Sequence, residues 1–171
     1  STHLLLAMPP SPHENLLAET FRNAFSCSEA IHCMRQCAAA LAYLHEHRIV
    51  HRDVKPNNLV VSGPCDRLAL HVRLADFGYA RIVLAHQRCY TIVGSREYLS
   101  PEIVRVMWRQ RRGYGRKTDV WSAGVTLFFL ASGIMPFIEY EELEDQIVNP
   151  VDLDLSTSGG LKPLYAFDHY L

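Results

Sequence analysis

Hydrophobic residues recur at helical spacing in two long stretches of the chain. In the first, Ser26-Cys27-Ser28-Glu29 has the spacing of a capping box, which predicts that a helix begins there. In the second, residues 120–131 are apolar on all sides, which predicts a helix at the centre of the core, ended by Gly133 and Pro136. A shorter helix is predicted at residues 15–24. The buried stripe predicted for the first long helix consists of Ile31, Met34, Ala38, Leu41 and His45.

Between the two long helices the pattern changes to alternation. Residues 59–61 and 68–74 are predicted strands joined by a turn at residues 62–66. In the second strand, Leu70, Val72 and Leu74 alternate with polar residues, as expected for a strand buried on one face. Near the start of the chain, residues 3–8 form a short predicted strand, followed by a proline-rich connector at residues 9–13.

The composition is that of an ordinary globular protein, with 171 residues that are 49% hydrophobic and 20% charged. The formal net charge of −1 gives no overall attraction to nucleic acid or to a membrane surface. The apolar residues 120–131 are fewer than the roughly 20 that a membrane-spanning helix needs. Five cysteines without a paired C-x-x-C spacing favour reduced thiols, so we expect an intracellular protein, cytoplasmic or nuclear.

Two features leave alternatives open. Cys33 and Cys37, four residues apart in the predicted helix, could share a metal ion, but two small buried thiols are the favoured interpretation. Residues 105–117, from Arg105 to Lys117, include six basic residues, which favours a solvated loop. The alternative is a docking patch for an acidic or phosphorylated partner. No aromatic residues interleave in a way typical of nucleic-acid binding, so no nucleic acid is expected.

The stretch with the most chemistry is residues 49–61, which read IVHRDVKPNNLVV. Two apolar runs bracket a loop that offers a carboxylate, an amine and a carboxamide on a backbone stiffened by Pro56. Such groups can orient a hydroxyl, neutralise a phosphate and hold a metal ion. The segments that follow are Asp76-Phe77-Gly78, G-S-x-x-Y from Gly94, Ser100-Pro101-Glu102 and D-x-W-S-x-G from Asp119.

In this order the segments resemble the H-R-D-x-x-x-x-N, D-F-G, A-P-E and D-x-W-S-x-G elements of eukaryotic protein kinases, with Ser100 in place of the alanine. Lys55 followed by Pro56 is similar to the serine/threonine type. The resemblance implies an α+β protein-kinase-like fold with a mainly helical C-terminal lobe and short β-hairpins, and an N-terminal lobe that is largely absent. Residues 1–13 would be the last N-lobe strand and the hinge, residues 14–137 the C-lobe core, and residues 138–171 an acidic and aromatic tail without an assigned role.

The resemblance also implies roles in phosphoryl transfer from ATP. Asp53 would accept the proton of the substrate hydroxyl or orient that hydroxyl, and Lys55 would stabilise the transferring γ-phosphoryl group. Asn58 and Asp76 would hold Mg²⁺, a hard ion that prefers oxygen ligands. The adenine would pack on Val60. The backbone N–H of Ser11 would be a donor to the adenine edge, although an ordinary linker is the alternative at that position.

Other residues would support this site. Thr91 lies in T-x-x-G-S, where a regulatory phosphate could pair with Arg52 and order the segment, and an unmodified loop threonine is the alternative. Ser95 would bond the catalytic aspartate and lysine. Asp119 would be buried and would accept hydrogen bonds from backbone amides of the catalytic loop, the H-R-D-x-x-x-x-N element at residues 51–58. The remaining supporting residues are His51 and Phe77 as packing groups, Gly78 as a flexible point, and Glu102; His45 and His47 are predicted to be helix-end residues.

The function that this resemblance implies is a protein serine/threonine kinase acting on a protein substrate. No glycine-rich phosphate loop, no V-A-I-K-type lysine and no helix with its glutamate partner can be recognised in these residues. We therefore expect part of a kinase domain that has little activity alone. The alternative is a non-catalytic, kinase-like interaction module, in which the same residues bind a partner or a regulatory target.

Overall fold

The computed structural model describes residues 15–22, 25–64, 66–107 and 113–137. The predicted strand at residues 3–8, the connector with Ser11 and the tail at residues 138–171 lie outside these ranges. The basic segment at residues 105–117 is described only at its two ends.

Helices dominate the described residues, and the strands are short. The helices are α1 (Leu16–Arg22), α2 (Cys27–Glu46), α3 (Pro101–Met107) and α4 (Lys117–Ser132). The strands are β1 (Ile49–Val50), β2 (Leu59–Ser62), β3 (His71–Leu74) and β4 (Arg81–Ile82), with single 3₁₀ turns at Pro56–Asn58, Arg67–Ala69 and Arg96–Tyr98. The predicted α+β class, mainly helical with short antiparallel strand pairs, is confirmed. Within these ranges no helix combines the length and the apolar character that crossing a membrane requires.

Helix α2 begins where the capping box predicts. The Ser26 hydroxyl accepts a hydrogen bond from the Glu29 N–H at 3.3 Å, and the Glu29 carboxylate accepts one from the Ser26 N–H at 2.7 Å. The predicted buried stripe is partly wrong, because Ile31 and Ala38 are exposed. The face that packs inward is rotated toward smaller side chains and consists of Ala30, Cys33, Met34, Cys37, Leu41 and Leu44.

The predicted hairpin is present, although its second strand begins at His71 rather than at residue 68. Strands β2 and β3 pair antiparallel, with Leu59 opposite Leu74 and Val61 opposite Val72. These four side chains are buried, as the alternation predicts. Strand β1 pairs with β4 in a separate two-stranded sheet, so the residues before Asp53 are tied to the residues after Asp76.

The main core lies between α2, the β2–β3 hairpin and α4. Cys33 and Cys37 belong to it and are almost fully buried. Burial raises the pKa of Cys33 to about 11 and that of Cys37 to about 12, so both thiols stay protonated at neutral pH. No cluster of three or more His, Cys, Asp or Glu side chains that could hold a metal ion occurs among the described residues, so this pair packs as small apolar groups.

Helix α4 differs from the prediction of a helix buried on all sides. Val120 is 61% exposed. The buried face of the helix carries four polar side chains among its apolar ones. Two of these side chains donate hydroxyl hydrogen bonds to backbone carbonyls: Ser122 to that of Tyr98 at 2.7 Å, and Thr126 to that of Ser122 at 2.8 Å. The buried polar residues are Thr118, Asp119, Ser122 and Thr126.

Gln36 links α2 to the strand that leads to Asp76. Its amide nitrogen donates to the Leu70 carbonyl at 2.9 Å, and its amide oxygen accepts from the Val72 N–H at 3.0 Å. The His32 ring adds a second contact to the Leu70 carbonyl at 3.1 Å. The Gln36 side chain therefore bonds both the Leu70 carbonyl and the Val72 N–H, two backbone groups at the start of β3.

We predict that Gln36→Ala lowers the free energy of unfolding by about 1–3 kcal/mol, because the part-buried Val72 N–H loses its partner. Chemical denaturation of the purified chain measures this loss. Arg35→Ala, at the exposed neighbouring position, is the control and should change stability by less than about 0.5 kcal/mol. Equal effects of the two substitutions would contradict a linking role for Gln36.

Candidate active site

A buried carboxylate holds the loop that contains Asp53. Asp119 is fully buried in the first turn of α4, and its two oxygens accept the backbone N–H groups of His51 at 2.9 Å and Arg52 at 2.8 Å. These are the catalytic-loop amides that the sequence predicts as its partners. A buried charge is tolerated only when several donors surround it, so this contact fixes the loop against α4.

His45 is a third donor to Asp119, and its position in the sequence did not reveal this contact. Its Nε2 lies 2.8 Å from an Asp119 carboxylate oxygen, which can only accept, so Nε2 carries the proton. His47, by contrast, is exposed and bonds the Tyr43 carbonyl at the end of α2. The helix-end interpretation therefore describes His47, whereas His45 belongs to the support of the loop.

The loop backbone is strained at Arg52, which has φ of 72°, and the chain is again left-handed at Asp76, with φ of 56°. A non-glycine residue in this region costs roughly 1–2 kcal/mol. Asp119 offsets that cost at Arg52 by holding the N–H of Arg52 and the N–H of His51 before it.

Asp53 has four donors around its carboxylate. One oxygen accepts the N–H and the hydroxyl of Ser95, at 2.9 and 3.0 Å. The other lies 3.0 Å from the Lys55 amine and 2.9 Å from the Asn58 amide nitrogen. Burial raises the pKa of Asp53, but the hydrogen bonds and charge of Lys55 and the two donors of Ser95 outweigh it, so the pKa lies below its ordinary value. Asp53 is therefore an ionised acceptor at neutral pH.

Ser95 also accepts a hydrogen bond from the Lys55 amine at 2.6 Å, so its hydroxyl connects the two charged groups. Gly94 makes this approach possible. Its φ is 102°, and a Cβ at this position would lie 2.6 Å from the Arg52 carbonyl oxygen. Only glycine lets the segment run so close to the catalytic loop.

Asn58 and Asp76 lie at the same end of the β2–β3 hairpin, where the Ala75 N–H donates to the Asn58 carbonyl at 2.8 Å. The Asn58 amide nitrogen faces two acceptors, the Asp53 carbonyl and carboxylate, so its side-chain oxygen is turned the other way. Asp76 is exposed, and one of its oxygens accepts the Gly78 N–H at 3.1 Å. A carboxylate and a carboxamide oxygen are the kind of donors that suit Mg²⁺.

His51 is a fully buried packing residue. Its Nε2 donates to the Ala75 carbonyl at 3.0 Å, and its ring meets the Phe77 ring edge-on with centroids 5.1 Å apart. Burial lowers the pKa of His51, and the Ala75 carbonyl and nearby carboxylates only partly oppose this shift. The neutral ring therefore spans from the catalytic loop to the Asp76 segment.

Thr91 and Arg52 are in contact. An Arg52 guanidinium nitrogen donates to the Thr91 hydroxyl at 2.9 Å, and Arg52 Nε donates to the Tyr79 carbonyl. Tyr114, which the motifs did not indicate, donates its hydroxyl to the Thr91 carbonyl at 2.6 Å. Its placement between Gly113 and Gly115 was the only sequence signal for this closely packed tyrosine.

The remaining predicted site residues are less constrained. Val60 is half-buried on β2, and Gly78 is exposed. Glu102 is half-buried near the start of α3, with no ion pair among the described residues. Ser100, which replaces the family's alanine, is buried and shares a hydrogen bond of 2.8 Å with the Thr118 hydroxyl, so the extra hydroxyl is satisfied.

Comparison with known families and proteins agrees with this geometry. The family profile of the protein kinase domain matches residues 1–158. The chain belongs to the protein kinase domain family. Similar proteins include the serine/threonine-protein kinase dkf-1 of Caenorhabditis elegans, which is 40% identical over 114 residues, or 67% of this chain and 15% of that protein.

Two mouse proteins are also similar. The serine/threonine-protein kinase DCLK3 is 37% identical over 125 residues, covering 73% of this chain and 15% of that protein. The cAMP-dependent protein kinase catalytic subunit PRKX is 33% identical over 154 residues, covering 86% of this chain and 40% of that protein. The chain thus spans well under half the length of these curated relatives.

We predict that Asp119→Asn lowers the free energy of unfolding by about 2–4 kcal/mol, because its amide group cannot accept all three N–H donors. Amide hydrogen exchange at His51 and Arg52 should accelerate. Asp66→Asn, at an exposed carboxylate that caps a 3₁₀ turn, is the matched control and should leave both measurements nearly unchanged. Unchanged exchange in Asp119→Asn would contradict the anchoring role.

We also predict that His51 makes stability pH-dependent. Its folded-state pKa is lowered, so its contribution is present above the unfolded value of about 6.5 and is lost as the pH falls through the lower folded value. His51→Phe should reduce the decrease in the free energy of unfolding between pH 7.5 and pH 5, as measured by denaturation at each pH. The exposed His71→Asn is the control, and an unchanged slope in His51→Phe would contradict the prediction.

Proposed function

We propose that the chain carries the catalytic part of a protein serine/threonine kinase, which transfers the γ-phosphoryl group of ATP to a serine or threonine hydroxyl of a protein. The observation that carries the proposal is the Asp53 carboxylate, ionised and surrounded by Lys55, Ser95 and Asn58. This arrangement places an ionised carboxylate, which can accept a proton, beside an amine that can neutralise a phosphate, as phosphoryl transfer to a hydroxyl requires. The names of the relatives support the serine/threonine class.

In this mechanism the substrate hydroxyl takes the place of one donor to Asp53. The Ser95 hydroxyl is the natural one to move, because its backbone N–H can keep the same carboxylate oxygen oriented. Asp53 then orients the attacking oxygen and receives its proton as that oxygen bonds to the γ-phosphorus, while the bond from the γ-phosphorus to the bridging oxygen breaks and ADP leaves. The Lys55 amine, already between Asp53 and Ser95, is available to neutralise charge on the transferred group.

Asn58 and Asp76 would hold Mg²⁺ through the oxygens that face away from Asp53 and from the Gly78 N–H. Bound by these two side chains, Mg²⁺ would supply positive charge that offsets the negative charge of the phosphates. Val60 would supply the apolar surface beneath the adenine. Ser11 stays a proposed backbone donor to the adenine edge.

Thr91 is the proposed regulatory site. Its hydroxyl already accepts from the Arg52 guanidinium at 2.9 Å, so a phosphate there would gain a charge-assisted contact without a large movement. Arg52 is adjacent to Asp53, and Thr91 precedes Gly94 and Ser95. A phosphate on Thr91 would thus hold the segment that carries Ser95 against the catalytic loop.

The test uses a protein that contains these residues together with an upstream nucleotide-binding lobe. We predict that Asp53→Asn lowers kcat for peptide phosphorylation by about 10²–10⁴-fold and leaves Mg·ATP binding nearly unchanged. Asp76→Asn should instead weaken Mg·ATP binding, as measured by calorimetry. Asp66→Asn is the control for both, because it makes the same change of charge at an exposed turn.

Phosphorylation that persists in Asp53→Asn would overturn the assignment. Mg·ATP binding in neither the isolated 171 residues nor the extended protein would favour the non-catalytic interaction module. Binding in the extended protein alone would agree with a kinase whose ATP cleft needs both lobes.

A further inference from the structure

A cleft of about 340 Å³ lies in the segment between Asp76 and Thr91, apart from the Asp53 site. Its lining combines two arginines and a histidine with a tyrosine, a glutamine and a valine, and it contains no carboxylate. The lining residues are Arg81, Val83, His86, Gln87, Arg88 and Tyr90. The volume is in the range of small-ligand pockets, enough for a phosphate and part of the side chain that bears it.

The positive groups of this cleft have no acidic partner within the described ranges. Neither Arg81 nor Arg88 forms an ion pair there, and both are exposed, as is His86. Several like charges around one concavity repel one another and concentrate a positive potential in it. Such an arrangement becomes favourable when an anion enters.

The backbone around the cleft is held in place on two sides. Arg81 is on β4 and pairs with Val50 of β1. Cys89 is fully buried and exchanges two backbone hydrogen bonds with Tyr114, at 2.8 and 2.9 Å. Because alternate residues of an extended chain point to the same side, burying Cys89 turns its neighbours Arg88 and Tyr90 together toward solvent.

Two glycines form the wall behind these side chains. A Cβ at Gly113 would lie 2.7 Å from Arg88 Cβ and 2.9 Å from the Tyr90 ring, and a Cβ at Gly115 would lie 3.1 Å from an Arg88 guanidinium nitrogen. The absence of side chains at these two positions lets Arg88 and Tyr90 lie directly on the wall. Their positions are therefore shaped by packing, although both remain exposed on the cleft side.

We propose that this cleft binds the phosphate of a phosphoserine or phosphothreonine in a partner peptide. Guanidinium groups match phosphate oxygens in two parallel hydrogen bonds, which a carboxylate-free lining leaves available. The His86 ring, the Gln87 amide and the Tyr90 hydroxyl are further donors, while Val83 and the Tyr90 ring offer apolar contact to the peptide. The assignment to a peptide, rather than to a free anion, rests on the proposed kinase function.

This site is distinct from the contact between Arg52 and Thr91, since neither residue lines the cleft. The Thr91 hydroxyl is turned toward Arg52, and its carbonyl toward Tyr114. The same segment continues to Ser95, which binds Asp53. A phosphorylated partner held in the cleft would therefore be tethered to the segment that completes the catalytic site.

The test measures fluorescence anisotropy of a labelled, otherwise neutral peptide with one phosphoserine, on the dephosphorylated chain and without nucleotide. We predict that the phosphopeptide binds at least about tenfold more tightly than its serine counterpart, and that inorganic phosphate competes. The double substitution Arg81→Gln with Arg88→Gln should weaken phosphopeptide binding at least about tenfold. The matched control, Arg35→Gln with Arg73→Gln, removes two exposed arginines elsewhere and should change binding less than about twofold.

Further variants separate the sources of phosphate. Arg52→Gln should retain phosphopeptide binding, and Arg88→Lys should give an intermediate affinity, because it keeps the charge without the planar fork. Loss of binding in Arg52→Gln would assign the phosphate to the guanidinium that contacts Thr91 and overturn the proposal. Equal binding of the two peptides, no measurable phosphopeptide binding, or equal loss in the matched control would also overturn it. None of these readouts depends on phosphoryl transfer, so the proposed kinase function can fail separately.

Discussion

The buried carboxylate of Asp119 is the interaction on which the rest of the site depends. It collects the N–H groups of His51 and Arg52 and the ring of His45, and so joins α2, α4 and the catalytic loop at one point. An uncompensated charge at full burial would be strongly destabilising, so the three donors and the carboxylate require one another. The left-handed Arg52 persists because its neighbouring amides are held in this way.

A second set of contacts orients the charged side chains of the site in the absence of any substrate. Asp53, Lys55, Ser95 and Asn58 satisfy one another, so each charged group is already oriented. In the proposed phosphoryl transfer, such preorganisation would lower the reorganisation needed when a hydroxyl and a phosphate arrive, since they would replace contacts of the same kind. It also explains the need for Gly94, because the segment that carries Ser95 must approach the Arg52 carbonyl closely.

The segment between Asp76 and Ser95 is supported from outside the catalytic loop. Tyr114 bonds the Thr91 carbonyl, and its backbone pairs with Cys89. These contacts hold Tyr114, at the described end of the basic segment, against Cys89 and Thr91, which shortly precede Ser95. The order of this segment therefore depends on residues that are distant in sequence.

The sequence by itself determined the capped start of α2, the alternation of β3, the end of α4 at Gly133 and the set of residues around Asp53. The first three depend on local spacing or on turn chemistry, and the residues around Asp53 follow from motifs, although Ser95 lies 42 residues beyond Asp53 in the chain. The face of α2 that is buried, the polar inner side of α4, and the contacts of His45, Gln36 and Tyr114 were decided by tertiary structure. The contacts of His45, Gln36 and Tyr114 join groups that lie 23 or more residues apart in the chain, as His45 meets Asp119 at a separation of 74, and no local pattern encodes such a meeting. Packing selected the inner faces, and the need to satisfy buried polar groups selected their partners.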